Sequence, residues 1–286
     1  MPDTQPRLTE QGDGITAIDT DLIRPMFDAS HLIIEGGRAA FVDCGVNDTV
    51  PLLLATLAAK GVDVAEVDYL FLTHVHLDHA GGAGALMQAL PNAKAVLHPR
   101  GAPHMVDPAK LIRGAMAVYG RDAYLEMYGD IVAIPEERVI VADDRQTFTF
   151  GGRTLQNFYT EGHARHHHCF ADPASGSVFT GDSFGVSYRE LVTEQGEFIF
   201  PTMTPVHVDP PEAHKAIETI LEFEPRQLFL THYSKVTDVE RLANDLHRRI
   251  DDFVSIAERY AADENRTANM HATMYEYFES ELDVHG

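Results

Sequence analysis

The chain has 286 residues, with 22 Lys plus Arg against 44 Asp plus Glu, which gives a formal net charge of −22 at pH 7. This charge disfavours nucleic acid and anionic membrane surfaces as partners, because both recruit proteins through Lys and Arg. With two cysteines, no signal-peptide pattern and no apolar run of roughly 18 residues, the expected protein has neither a disulfide framework nor a membrane span and is cytoplasmic.

Apolar patterning predicts alternating strands and helices along the chain. Strands are expected at 31–35, 39–43, 67–72, 94–98, 138–142, 146–150, 153–159, 167–171, 176–180 and 227–231. Helices are expected at 49–60, 80–90 and 107–129, after 209, after 237 and at 264–281. Gly36-Gly37 and Gly151-Gly152 each indicate a hairpin turn, so the pattern is two successive α/β halves and a helical tail.

The densest group of histidines directly follows the apolar strand expected at 67–72, in the string THVHLDHAGG. His74 and His76 face the same side of an extended segment, and a turn would bring Asp78 and His79 beside them. Imidazole and carboxylate groups suit divalent transition metals, and α/β proteins tend to build sites at the carboxyl ends of strands. The sequence therefore predicts a metal site at this position.

This string resembles the THxHxDHxGG signature of the metallo-β-lactamase fold, which includes glyoxalase II and related hydrolases. Four further strings are similar to elements of that family and stand in its order: FVDCG with Asp43, TEGHARHH with His163, FTGDS with Asp182, and LTH ending at His232. The resemblance extends over residues 41–232.

The resemblance implies an α/β fold, the αββα metallo-β-lactamase sandwich, with a helical insertion at 107–129 and a C-terminal helical extension. A catalytic domain would cover residues 1–235, and the extension at 236–286 would pack on it.

The resemblance also implies two divalent metal ions, with zinc as the first expectation and iron or manganese as alternatives. His74, His76 and His163 would bind the first ion, and Asp78, His79 and His232 would bind the second. Asp182 would bind both. Asp43 and His167 would support these ligands from behind. Asp78 would also act in catalysis by orienting the nucleophile or moving its proton.

The expected function is a metal-dependent hydrolase in which a metal-bridging hydroxide attacks a small thioester, ester, lactone or β-lactam. The alternative is a mononuclear non-heme iron sulfur dioxygenase of the persulfide-dioxygenase type, with His74, His163 and Asp182 as ligands. The complete ligand set argues against a non-catalytic metal-binding protein, and the charge argues against a nuclease. The expected partner is a small-molecule substrate of unknown identity, and a homodimer stays open.

Other residues near the ligand positions have no assigned role. Arg165 is expected to be a surface cation, and of His166 and His168, at alternate strand positions, one is expected to face outward. The 107–129 insertion either lines an apolar pocket or packs on the sandwich. Candidate substrate contacts, chosen only by their proximity in sequence, are His207, Tyr233 and Ser234.

Overall fold

The computed structural model describes residues 5–203 and 208–286, which form 13 strands and nine α-helices. The strands are β1 (Leu8–Gly12), β2 (Ile15–Asp19), β3 (Ala29–Glu35), β4 (Arg38–Val42), β5 (Val67–Phe71), β6 (Lys94–Leu97), β7 (Val139–Val141), β8 (Thr147–Phe150), β9 (Arg153–Tyr159), β10 (His168–Asp172), β11 (Ser177–Gly181), β12 (Gln227–Leu230) and β13 (Ser234–Val236). The helices are α1 (Val50–Ala59), α2 (Leu77–Ala80), α3 (Ala83–Ala89), α4 (Ala102–Val106), α5 (Ala109–Tyr119), α6 (Arg121–Tyr128), α7 (Pro210–Leu221), α8 (Val239–Arg259) and α9 (Arg266–His285).

The first sheet contains β1 to β7 in chain order. Strands β1 to β4 pair antiparallel, whereas β4 to β7 pair parallel and are joined by helical crossovers. Helices α1 and α3 cover the outer face of this sheet, where Leu53 and Leu86 join Phe41, Leu70 and Leu97 in one buried cluster. This sheet and its helices form the first half of the molecule.

The second sheet has the order β13-β12-β11-β10-β9-β8, with only the β11–β12 pair parallel. Helices α7 and α8 cover its outer face through Ile217, Leu242 and Leu246, which pack with Phe158 and Leu228. Aromatic side chains fill the space between the sheets, among them Phe71, Phe148, Phe170, Phe179 and Phe229. The layers are therefore helix, sheet, sheet and helix, which confirms the expected αββα sandwich.

Both predicted Gly-Gly turns are present, and they touch each other. A Cβ atom on Gly151 would lie 1.8 Å from the carbonyl oxygen of Glu35, and one on Gly36 would lie 2.3 Å from the carbonyl oxygen of Gly151. Both glycines also have positive φ, 56° and 52°, which side chains disfavour. The two halves thus meet closely at this end, and β4 and β9 run from it toward the histidine cluster at the other end.

The structure differs from the expected elements in several places: helix α4 was not expected, and the helix expected at 80–90 is divided into α2 and α3. A first hairpin, β1–β2, precedes the Gly36-Gly37 hairpin, and β13 follows the last predicted strand. The single helical stretch expected at 107–129 is two helices, α5 and α6, because Gly120 at φ 81° interrupts it. These helices pack on the sandwich: Tyr124 and Ile131 form a cluster with Leu77.

The helical tail consists of α8 and α9. Helix α8 shares the core of the second sheet, and α9 is held to it by an ion pair of 2.8 Å between Arg249 and Glu281. A boundary at residue 235 stays a prediction. Among the helices of residues 5–203 and 208–286, none is both long enough and apolar enough to cross a bilayer.

Candidate metal centre

The strand ends bring the predicted ligands together. His74 and His76 lie between β5 and α2, and α2 then carries Asp78 and His79. The other three predicted ligands each follow a strand: His163 follows β9, Asp182 follows β11 and His232 follows β12. These strands all end at the same edge of the sandwich, so residues that are up to 158 positions apart share one site.

Three histidine nitrogens form the first donor group. Nε2 of His74 lies 2.8 Å from Nδ1 of His76, and Nε2 of His163 lies 3.0 Å from the same Nδ1. All three atoms also lie within 4.8 Å of one another, close enough to share one ion.

Asp78, His79 and His232 form the second donor group. Oδ2 of Asp78 lies 3.4 Å from Nε2 of His232 and 3.7 Å from Nε2 of His79. Asp182 stands between the groups, because its Oδ1 lies 3.3 Å from Nε2 of His79 and its Oδ2 lies 3.4 Å from Nε2 of His163. Asp182 therefore contacts both donor groups.

The outer nitrogens of the histidines face polar groups of the protein. Nδ1 of His79 lies 2.8 Å from Oδ2 of Asp43, and Nδ1 of His232 donates to the carbonyl of Phe27 at 2.9 Å. When Nδ1 carries the proton, the Nε2 lone pairs of these two histidines point into the centre. Histidines that bind metals typically have the same arrangement.

Two buried atoms of the centre lack a hydrogen bond of ordinary geometry within the described residues, Nε2 of His79 and Oδ1 of Asp182. Unpaired buried polar atoms are rare and call for an unseen partner. Nitrogen and carboxylate donors that converge in this way fit a divalent transition metal. The assignment of individual ligands stays a prediction.

Asp43 connects the two halves behind the donors. Its carboxylate accepts hydrogen bonds from the backbone N–H of Thr73 at 2.8 Å and from Oγ1 of Thr231 at 2.9 Å, besides contacting His79. Asp43 also has φ 54°, a conformation that Asp tolerates better than most residues. The supporting position expected for Asp43 is thus consistent with its contacts.

His167 lies behind Asp182. Its Nε2 accepts from the backbone N–H of Asp182 at 3.2 Å, while its Nδ1 lies 2.9 Å from Oγ1 of Thr160 and 3.0 Å from Oγ of Ser183. It is fully buried and contacts the two segments that carry His163 and Asp182. This position allows the supporting role that was expected for it.

The neighbours of His167 differ from expectation. The expectation that His166 or His168 faces outward is wrong, because both are buried, and Nε2 of His168 donates to the carbonyl of Leu72 at 2.8 Å. Residues that follow β5 cover this strand end, since the ring centre of His166 lies 6.1 Å from that of His74 and His168 bonds to Leu72. Arg165 is exposed, as expected. Among the suggested substrate contacts, Tyr233 and Ser234 are buried, and His207 lies outside the described residues.

The two donor groups differ in their proton affinity. Burial, reinforced by the neighbouring imidazoles, lowers the pKa of His74, and burial lowers that of His76 to about 4. Burial also acts against charge on His79 and His232, but the carboxylates, Asp182 foremost, outweigh it and raise the pKa of both, that of His232 to about 9. The carboxylates thus concentrate negative charge at the second group.

Asp28 is a residue of the site that the sequence did not reveal. It is fully buried at the start of β3, and both carboxylate oxygens lack a hydrogen-bond partner in the described part of the chain. Burial raises the pKa of Asp28 to about 7, although the charges of His232 and His79 oppose this rise. No motif marks it, since a single Asp before a strand is common.

An aromatic wall beside the centre was also missed. The Phe27 ring lies 5.3 Å from that of His232 and stacks on Tyr188 at 5.6 Å. The Arg24 guanidinium covers Tyr188 at 4.6 Å. These residues lie in two separate loops, so only the tertiary structure joins them.

Known proteins share this fold and part of the sequence. The metallo-beta-lactamase superfamily profile matches residues 24–232. The metallo-beta-lactamase fold-containing protein ST1585 of Sulfurisphaera tokodaii is 29% identical over 198 residues, 67% of this chain and 71% of that protein. An atrochrysone carboxyl ACP thioesterase of Aspergillus fumigatus is 30% identical over 155 residues, 54% of this chain but only 39% of the relative.

Solved structures agree on the fold. The crystal structure of ST1585 from Sulfolobus tokodaii superposes with a TM-score of 0.68 at 23% identity, covering 85% of this chain and 87% of that one. MEM-A1, a subclass B3 metallo-beta-lactamase from a soil metagenome library, gives 0.60 at 14% identity, covering 87% and 96%. The profile match covers all seven predicted ligands and ends at the last of them, His232. It shows that the chain is an enzyme of the metallo-beta-lactamase superfamily, with a hydrolase-type site for divalent metal.

Proposed function

We propose that the chain hydrolyses a small acyl compound, with thioesters first and esters, lactones and β-lactams as the related classes, using two divalent ions, zinc first. The observation that carries this proposal is the position of Asp182, with one carboxylate oxygen toward each donor group. A mononuclear iron dioxygenase would use His74, His163 and Asp182 as ligands. Asp78, His79 and His232 would then have no role in binding the metal. The thioesterase named among the relatives supports placing thioesters first.

The bound ions would lower the pKa of a shared water and so supply hydroxide near neutral pH. Asp78 is the residue suited to handle that water, because 28% of its side chain is exposed, against 7% for Asp182. Burial would raise the pKa of Asp78, but the charges of His79 and His232 outweigh burial and keep it below the usual range. The carboxylate is therefore ionised and can accept a hydrogen bond from the attacking water.

The aromatic wall of Phe27 and Tyr188 supports an apolar acyl group as the part of the substrate next to His232. Both rings are half-buried, and their faces offer contact area without a hydrogen-bonding requirement. Arg24 at the outer edge of the wall adds one positive charge, which it shares with Glu190. An acyl chain that ends in a carboxylate would fit this wall better than one that ends in an amine.

The test is a substrate panel on protein whose metal content has been measured. Zinc-loaded protein is expected to release thiol from a small acyl thioester, and Asp78→Asn is expected to reduce kcat by roughly 10²–10⁴-fold, the usual contribution of a positioned acid or base. Asp122→Asn, the same change at a fully exposed position of α6, serves as the matched control.

Two results would contradict the proposal. One is the absence of turnover on all four substrate classes with both ions bound. The other is one iron per chain with thiol-dependent uptake of oxygen, which would identify the dioxygenase instead.

A further inference from the structure

A second cluster of histidine and carboxylate side chains lies away from the metal centre, where α7 and α8 pack together. His214 and Glu218 are one turn apart on α7, and His247 and Asp251 are one turn apart on α8. Residues four positions apart share a face of a helix, so all four side chains project toward the same seam. None of them is among the seven donors of the centre, and we refer to them as the α7–α8 histidine pair and its two carboxylates.

The two imidazoles meet edge to edge. Their Nδ1 atoms are 2.6 Å apart, and their planes differ by only 9° with ring centres 4.9 Å apart. At the outer edges, Nε2 of His214 lies 3.2 Å from Oδ1 of Asp251, and Nε2 of His247 lies 3.0 Å from Oε1 of Glu218. Each ring thus has a carboxylate on one side and the other ring on the opposite side.

The facing Nδ1 atoms of the two rings can hold a proton or a metal ion between them. The hydrogen bond between Nε2 of His214 and Asp251 favours the tautomer with the proton on that nitrogen, which leaves a lone pair on its Nδ1. Nε2 of His247 faces Glu218 without a hydrogen bond of ordinary geometry in the described part of the chain. Two lone pairs that face each other at 2.6 Å repel, unless a proton or a metal ion lies between them. An imidazole that binds a metal through one nitrogen and faces a carboxylate with the other is the usual arrangement in metalloproteins.

The seam also has the room and the charge for a metal ion. Side-chain exposure is 31% for His214 and 25% for His247, so water can complete the coordination. Two bonds of about 2.0–2.1 Å require the nitrogens to separate from 2.6 Å to about 3.3 Å at a tetrahedral angle, and to about 4 Å in a linear arrangement. Glu218 and Asp251, both exposed, supply two negative charges beside the ion.

We propose that the α7–α8 histidine pair binds a divalent transition metal of the zinc, nickel or copper class through the two Nδ1 atoms. Imidazole nitrogen is a preferred ligand of these ions, whereas Mg²⁺ and Ca²⁺ prefer oxygen. With two protein ligands and solvent for the rest, the site is weaker than the buried centre. A bound ion would connect α7 to α8, and α7 lies next to the centre, since Gly162 packs on the backbone of Ala213.

The test uses the full chain without a histidine tag, its centre first loaded with zinc, and then titrated with Cu²⁺. The expected result is one further Cu²⁺ per chain, with an electron paramagnetic resonance spectrum showing hyperfine coupling to two imidazole nitrogens. The double variant His214→Gln/His247→Gln is expected to lose this equivalent and to keep both ions of the centre. His271→Gln, at an exposed histidine of α9, is the matched control and is expected to retain it.

A second variant keeps both histidines and guards against a folding defect of the first. Glu218→Gln/Asp251→Asn is expected to weaken the additional site by 10–100-fold, the usual effect of removing groups that support metal-binding histidines. Wild-type protein that takes up no further Cu²⁺ would overturn the proposal and leave a shared proton as the cation. Equal uptake by the wild type and the histidine double variant would overturn it as well.

Discussion

The two halves of the sandwich contribute to the metal centre in different ways. The first half supplies four donors from a single six-residue segment, His74 to His79, and covers that segment with its own helices, since Tyr124 packs on Leu77. The second half supplies three donors, one from each of three separate loops: His163, Asp182 and His232. The first contribution depends mainly on local chain geometry, whereas the second depends on the register of a whole sheet.

Asp182 is the residue of the second half that contacts both donor groups, so its removal is expected to have the largest effect. Asp182→Ala is expected to empty at least one metal position and to reduce kcat/KM by roughly 10³-fold or more, because metal catalysis contributes several kcal/mol. Metal content per chain and turnover on the same samples are the measurements, with Asp122→Ala as control. A variant that retains both ions would show that Asp182 is not the bridge.

Asp28 belongs to the first half but interacts with His232 of the second. Its folded pKa of about 7 lies above the unfolded value of about 3.9, so its contribution to stability is complete below about pH 4 and is lost as the pH rises through 7. In metal-free protein at pH 8, Asp28→Asn is therefore expected to be more stable than the wild type by up to about 4 kcal/mol.

Urea unfolding of chelator-treated protein at pH 4 and pH 8 measures this effect. The two proteins are expected to have similar free energies of unfolding at pH 4 and to diverge only at pH 8. An equal difference at both pH values would mean that the carboxyl does not titrate on folding in this range.

The two Gly-Gly turns join the halves at the end of the molecule far from the metal centre. Alanine substitutions at these glycines test how close that contact is. Gly151→Ala and Gly152→Ala both place a side chain at positive φ, which costs about 1–2 kcal/mol. Only Gly151→Ala also drives a Cβ into the Glu35 carbonyl, so a further 1–3 kcal/mol of destabilisation is expected for it. Equal losses in the free energy of unfolding would contradict a close contact between the halves.

Replacement of Asp43 is expected to have the smallest effect on the metal centre. Asp43 contacts segments of both halves that carry predicted ligands, but it is not itself a predicted ligand. Asp43→Asn keeps the shape but weakens the interaction with His79 and Thr231. A fall in metal affinity of 10–100-fold is expected, measured by competition with a chromophoric chelator. Unchanged affinity would assign Asp43 to folding alone.

Sequence reasoning succeeded where the information is local or where a string has a family counterpart. The segment from His74 to His79 could be predicted because its four donors lie within six residues. Strands such as β9 could be predicted from their apolar pattern and the adjacent Gly151-Gly152 turn. The first hairpin was missed although Asp13-Gly14, a frequent hairpin turn, separates β1 from β2.

Other features exist only in three dimensions. The two rings of the α7–α8 histidine pair are 33 residues apart and meet through helix packing. The wall of Phe27 and Tyr188 joins two loops, and His166 is buried beside His74 of the first half. No periodicity in the chain encodes such contacts.

The division of the donors between the halves has a thermodynamic consequence. A cation held by both would connect them in the folded protein but not in the unfolded chain, so its binding free energy would add to that of folding. Each tenfold rise in free cation above its dissociation constant would then add about 1.4 kcal/mol to the free energy of unfolding per site. Metal supply would thereby set how long the protein resists proteolysis, independently of whether substrate is present.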